Sequence, residues 1–161
     1  MMRTRLLTLA ALATLSCATS PRPATAQARV VDDAGRHHLS VIAGATILDE
    51  DESDSAFTLG LDYEYRVSER IGLGAVAERA FGPLDSTTLL ATADIHLWRG
   101  LAIQTGPGVE FAEGATAFVV RLGALYEFEL GGGFTLSPQA HYDFSDAEDA
   151  VVLGVAVGHA F

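Results

Sequence analysis

The sequence predicts an all-β fold, an eight-stranded antiparallel up-and-down transmembrane β-barrel, and three observations carry the prediction. Beyond residue 28 the chain divides into eight segments in which bulky apolar residues alternate with small or polar ones, the period of a strand. The connections between these segments are alternately tight and longer. The composition is apolar, with 49% hydrophobic residues and a mean hydropathy of +0.26. Yet no later stretch reaches the roughly 18 consecutive apolar residues that a membrane helix needs. Apolar strands of about 9–11 residues with polar partners on the other face suit a barrel that shows its apolar side to lipid.

Residues 1–28 have the layout of a secretory signal peptide. Arg3 and Arg5 precede an apolar run at 6–15, and Pro21 and Pro23 lead to the small-residue site Ala26-Gln27-Ala28. Ala24-Thr25-Ala26 is a competing site, and Cys17 after Leu15-Ser16 offers a lipoprotein alternative. Residues 29–161 form the barrel domain. The only cysteine lies in the leader, so no disulfide is expected within the mature domain. All 21 acidic residues but only seven of the ten arginines lie beyond Ala28, so the domain is more acidic than the whole-chain net charge of −11. An acidic chain with no basic patch excludes nucleic acid as a partner.

The strands are expected at 38–48, 57–68, 71–81, 88–98, 101–111, 117–130, 134–144 and 150–161. Outward positions in the first four include Leu39, Val41, Ile47, Phe57, Leu59, Leu61, Tyr63, Tyr65, Val67, Ile71, Leu73, Leu89, Ile95 and Leu97. In the later strands they include Leu101, Ile103, Val109, Phe111, Phe118, Val120, Leu122, Tyr126, Phe128, Leu130, Phe134, Leu136, Tyr142 and Phe144. The inward set is polar: Thr58, Asp62, Glu64, Arg66, Glu78, Thr92, Asp94, His96, Gln104, Glu110, Arg121, Glu127, Glu129, Gln139, His141 and Asp143, among glycines. Pro107 and Pro138 each remove a ladder donor, so a bulge or strand end is expected near them.

Glu69-Arg70, Arg99-Gly100 and Gly131-Gly132-Gly133 are tight turns at one end. Segments 49–56, 82–87, 112–116 and 145–149 are longer, mostly acidic loops at the other. Aromatics fall at both heights. Phe57, Phe81, Phe111, Phe118, Tyr142 and Phe144 lie near the loops; Tyr65, Trp98, Tyr126, Phe128, Phe134 and Phe161 lie near the turns. Two such girdles mark the interfaces of a spanning barrel.

The last strand places Val151, Leu153, Val155, Val157, His159 and Phe161 on one face and Ala and Gly residues with Val152 on the other, and it ends on an aromatic. In this it resembles the closing strand of bacterial outer-membrane β-barrels. The resemblance extends over residues 29–161, which look like the small eight-stranded barrels of the OmpA-type membrane domain, without a peptidoglycan-binding domain. It implies that Phe161 is the signal read by the barrel assembly machinery. It also implies that the termini are periplasmic and that outer-membrane lipid and lipopolysaccharide surround a monomer.

Several constellations were weighed for chemistry. His141, Asp143 and Ser145 are the residue types of acyl transfer, but alternate strand residues are nearly 7 Å apart. The lipid A deacylase barrels are the nearest enzymatic comparison, with a His and a Ser two apart; here Asp143 stands where that Ser would be, and His141 faces inward. The acidic loop at 49–54 has cation-ligand chemistry without the glycine placement of an EF-hand. His37-His38 is weak as a metal pair and reads better as a periplasmic lead-in to the first strand, and Gly106-Pro107-Gly108 opens no helix, so it is no phosphate loop.

No catalytic residue, metal ligand or cofactor is assigned. The expected site is a lumen network of Arg121, Asp143, Glu110, Arg66, Glu64 and Asp94. Counting back from the triglycine turn sets Arg121 across from Asp143; on its other side it is expected opposite Gly108, one inward step from Glu110. An eight-stranded barrel is just wide enough to be filled by side chains, so a diffusion pore is excluded. The expected function is non-enzymatic, in envelope integrity or surface interaction. A lipid-modifying enzyme and a soluble lipocalin-type ligand-binding barrel are the alternatives.

Overall fold

The computed structural model describes residues 35–48, 55–112 and 114–161. The signal peptide and the acidic loop at 49–54 lie outside the described residues. Among the described residues nine strand segments make eight staves. They are β1 His37–Leu48, β2 Ser55–Arg66, β3 Ile71–Ala80, β4 Ser86–Trp98, β5 Leu101–Ala112, β6 Ala115–Tyr126, β7 Phe128–Gly131, β8 Phe134–Ser145 and β9 Ala150–Ala160. β6 and β7 are two halves of one stave, because both pair with β8.

Every neighbour is antiparallel, and β9 returns to β1 to close the wall. Phe161 completes the closure: its N–H donates to the His37 carbonyl at 2.8 Å, and the His37 N–H donates back at 3.1 Å. Closure pairs both long edges of every stave except at β7, which has a ladder partner on the β8 side alone among the described residues.

The alternation sorts the faces as expected. Leu61, Leu73, Leu122 and Val157 stand out at about half their full exposure, whereas Thr58, Glu64, Thr92, Asp94, Gln104 and Arg121 are buried inside. The outside is apolar and the inside polar, the reverse of a water-soluble barrel. The aromatic bands are seen in pairs: Phe57 stacks on Phe81 and Tyr142 tilts against Phe144 near the loops, while Tyr126 meets Phe128 near the turns.

Five expectations need correction. The 112–116 loop is shorter, because pairing runs on to Ala112–Ala115 and the chain reverses on Gly114 at φ +81°, a conformation glycine adopts without a Cβ clash. This moves the β5–β6 register by two, so Arg121 faces Gly106 and not Gly108. The strand expected at 117–130 is broken: the β6–β8 ladder stops at Leu125–Gln139 and resumes at Phe128–Leu136, with Pro138 in the gap. At Pro107 the β4–β5 ladder skips two pairs without slipping; the register shift there lies instead between His96 and Trp98. Glu129, expected inside, is exposed because β7 lies fully exposed at the turn-end rim.

The lumen is also not polar throughout. Ile42, Val76, Leu90, Val119 and Ala156 form a buried apolar cluster. Each follows the parity of its polar inward neighbours, Ile42 that of Ser40 and Val76 that of Glu78.

Candidate functional site

The lumen holds two polar groups of residues besides this apolar cluster. In the first, Arg121 is fully buried on β6 and pairs across the ladder with Asp143 on β8. Its Nε donates to Asp143 Oδ1 and its Nη2 to Asp143 Oδ2, both at 2.7 Å. Nη2 also reaches Glu78 Oε2 on β3 at 2.6 Å. The guanidinium therefore spans the lumen between two carboxylates, the bidentate geometry in which arginine binds best. Gly106, its ladder partner, has no side chain to obstruct it.

Glu110 is not part of this cluster. It accepts from Thr88 Oγ1 at 3.4 Å, and Glu78 holds the place expected for it. The two-residue register shift accounts for the exchange. Glu78 reaches Arg121 through space rather than along a ladder, so turn counting could not find it.

The second group lies toward the turn end. Arg66 Nη2 donates to Glu127 Oε2 at 2.7 Å, and Arg66 Nε lies 3.4 Å from Glu64 Oε2. His96 Nε2 is 2.7 Å from Glu64 Oε1, and His96 Nδ1 is 3.8 Å from Glu127 Oε2. His38 Nε2 bonds Thr135 Oγ1 at 2.9 Å, and its Nδ1 faces Glu127 Oε1 at 3.7 Å. Glu127 sits in the gap between β6 and β7, its N–H turned to the Gly100 carbonyl. The ladder break near Pro138 thus coincides with the residue that links β1, β2 and β4 across the lumen.

Of the remaining expected members, Glu64 and Arg66 belong to this second group. Asp94 is 3% exposed and lines a cavity of about 20 Å³ with His38, Asp62, Glu64, His96 and Glu127. Asp62 accepts from Gln104 Nε2 at 3.1 Å. The sequence reading missed His38 and Glu127 as partners, although His38 shares the parity of the inward Ser40.

No acyl-transfer triad assembles. Both Asp143 oxygens are taken by Arg121, and neither ring nitrogen of the buried His141 has a protein partner.

No protein-family model matches the chain, and no curated protein matches it. Solved structures do. The N-terminal β-barrel domain of Pseudomonas aeruginosa OprF matches at 13% identity and a TM-score of 0.59, covering 79% of this chain and 99% of that one. Ail of Yersinia pestis, in complex with the heparin analogue sucrose octasulfate, matches at 14% and 0.55, covering 78% and 96%. Neisserial surface protein A matches at 13% and 0.52, covering 78% and 96%. At these identities the likeness is one of fold: the chain has the closed, eight-stranded architecture of the small outer-membrane barrels.

Proposed function

We propose that the chain is a monomeric, non-enzymatic protein of the bacterial outer membrane that supports envelope integrity or surface interaction. The observation that carries this reading is the pairing of an apolar outer wall with a filled polar lumen. Such a wall is costly in water and favourable in lipid, and among the described residues the interior is filled by side chains around a cavity of about 20 Å³. On this reading the signal peptide directs export, the barrel assembly machinery inserts the chain, and lipopolysaccharide surrounds its outer half.

The loop end is its contact surface. Segments 49–54, 81–85, 113–114 and 146–149 carry ten Asp and Glu and no Arg, whereas turn segments 67–70 and 99–100 each carry an arginine. An acidic outer end suits cations or a basic partner and repels a polyanion such as the one Ail holds in its complex.

The test is twofold. The protein should require detergent for extraction and should migrate differently on gels before and after boiling. Extraction by salt alone would return it to the soluble, lipocalin-type class. Mass spectra of lipid A from cells with and without the gene should coincide, and a change in acylation would favour the enzyme.

A further inference from the structure

The turn-end cavity has a surplus of negative charge. Asp62, Glu64, Asp94 and Glu127 face it, and among the described residues Arg66 is the one guanidinium bonded to any of them. One guanidinium and the two imidazoles of His38 and His96 against four carboxylates leave an interior that favours a cation.

Three details give this surplus the form of a binding site. First, His38, Glu64 and Glu127 each offer a ligand atom, and these atoms lie within 4.8 Å of one another. The 3.7 Å between His38 Nδ1 and Glu127 Oε1 is too long for a hydrogen bond. It is close to the edge of a tetrahedron around a zinc ion, about 3.4 Å for bonds of about 2.0–2.1 Å. Second, His38 Nε2 is held by Thr135 Oγ1 at 2.9 Å; in the tautomer with the proton on Nε2, the hydroxyl accepts it and the Nδ1 lone pair faces the carboxylate. A ligating histidine is oriented in this way by a bond from its other nitrogen. Third, Asp94 lines the same cavity, 3% exposed; no guanidinium bonds it, and the neighbouring Gln104 amide donates to Asp62 at 3.1 Å.

We propose that the lumen contains a divalent transition-metal site, with His38 Nδ1 and the carboxylates of Glu64 and Glu127 as ligands and Asp94 on the open side. Mixed imidazole and carboxylate donors suit Zn²⁺ or Co²⁺ better than Ca²⁺ or Mg²⁺, which take oxygen shells. His96, 2.7 Å from Glu64 Oε1, and Arg66, 2.7 Å from Glu127 Oε2, hold the two carboxylates from behind. The cavity of about 20 Å³ has room for an ion. A bound metal would tie β1, β2 and the β6–β7 junction together at the turn end.

The test uses full-length protein extracted in detergent and stripped with chelator. Co²⁺ should produce visible d–d bands of a low-coordinate site, and Zn²⁺ should displace it and raise the melting temperature. Both effects should be lost in His38→Ala and in Glu127→Gln, and kept in the double variant His37→Ala/His159→Ala, which removes the surface imidazoles. Thr135→Val keeps every ligand and should weaken Zn²⁺ binding about 10- to 100-fold through loss of the orienting bond; it serves if the ligand variants do not fold. Absence of bands and of a melting shift in the parent protein overturns the proposal, and so does a response to Ca²⁺ alone. Bands that survive His38→Ala and vanish with His37 and His159 would place the metal on the surface and equally overturn it.

Discussion

Arg121 and Asp143 face each other across the β6–β8 ladder and share two hydrogen bonds of 2.7 Å, while the same guanidinium nitrogen holds Glu78 on the other side of the lumen. All three residues are buried. Arg121→Met should therefore destabilise the barrel by about 3–5 kcal/mol, because it strands two carboxylates away from water. The triple variant Arg121→Met/Glu78→Gln/Asp143→Asn should recover most of the loss. Urea titration in micelles, followed by the gel shift on boiling, gives both values. Equal stability of the single variant and the parent would show that the cluster contributes little.

How this cluster relates to the sequence shows what a strand pattern reveals. Parity assigned every strand but β7 to its faces, since a register slip of two residues leaves each side chain on the same side. That is why Arg121 was placed inside although its β5 partner was off by two. Partners across the lumen depend on strand tilt and stagger around the closed wall, and no turn count supplies those; hence Glu110 was expected where Glu78 stands. Ile42, Val76, Leu90 and Val119 were legible by parity and were missed because inward positions were sought among polar residues. Glu127 was placed inside, but its network depends on a ladder gap that residue types alone do not locate.

The outward face can be tested by depth. Leu61 lies mid-strand on β2 and is 53% exposed, so Leu61→Arg should cost about 2–4 kcal/mol in lipid. Phe57 lies near the loop end of the same face, where the cost of Phe57→Arg falls to about 0–1 kcal/mol plus the lost stack on Phe81. Inward arginines are no control for this test. Thr58 is 1% exposed and bonded to Thr46 at 2.7 Å, which leaves no room for one. Equal folding efficiencies for Leu61→Arg and Phe57→Arg in vesicles would contradict this placement in the bilayer.

Gly106 tests the packing beside Arg121. A Cβ there would fall on the backbone carbonyl of Ala91, which cannot turn aside as a flexible side chain can. Gly106→Ala should cost about 1–3 kcal/mol, in the range of overpacking. Gly82→Ala meets no neighbour but carries a φ of +81°, so its loss should be smaller and come from backbone strain alone. A larger loss at Gly82 than at Gly106 in parallel unfolding curves would refute the close contact.

The lumen should carry no steady current, because the apolar cluster of Ile42, Val76, Leu90, Val119 and Ala156 stands with the Arg121 bridge inside it. Any residual leak should prefer cations, since Asp62, Glu64, Glu78, Asp94, Glu110, Glu127 and Asp143 face inward against Arg66 and Arg121. Planar bilayer recordings under a salt gradient give the sign directly. An anion-selective reversal potential would contradict the inward placement of these carboxylates.

Phe161 ties the last stave to the first. Its backbone exchanges two hydrogen bonds with His37, and its ring stacks on His37 at 5.6 Å and lies 6.3 Å from His159. Deleting it removes both bonds at the seam where β9 meets β1, the pairing over the longest sequence separation in the wall. Insertion should fall, and uninserted chain should collect as protease-sensitive material. Phe161→Ala keeps the backbone bonds and loses only the ring contacts, so it should insert better than the deletion if closure is the main role. If instead the ring itself is read during assembly, the two variants should fail alike. Pulse-labelled fractions scored by the gel shift on boiling distinguish the cases, and normal insertion of the deletion would show that the barrel closes without this residue.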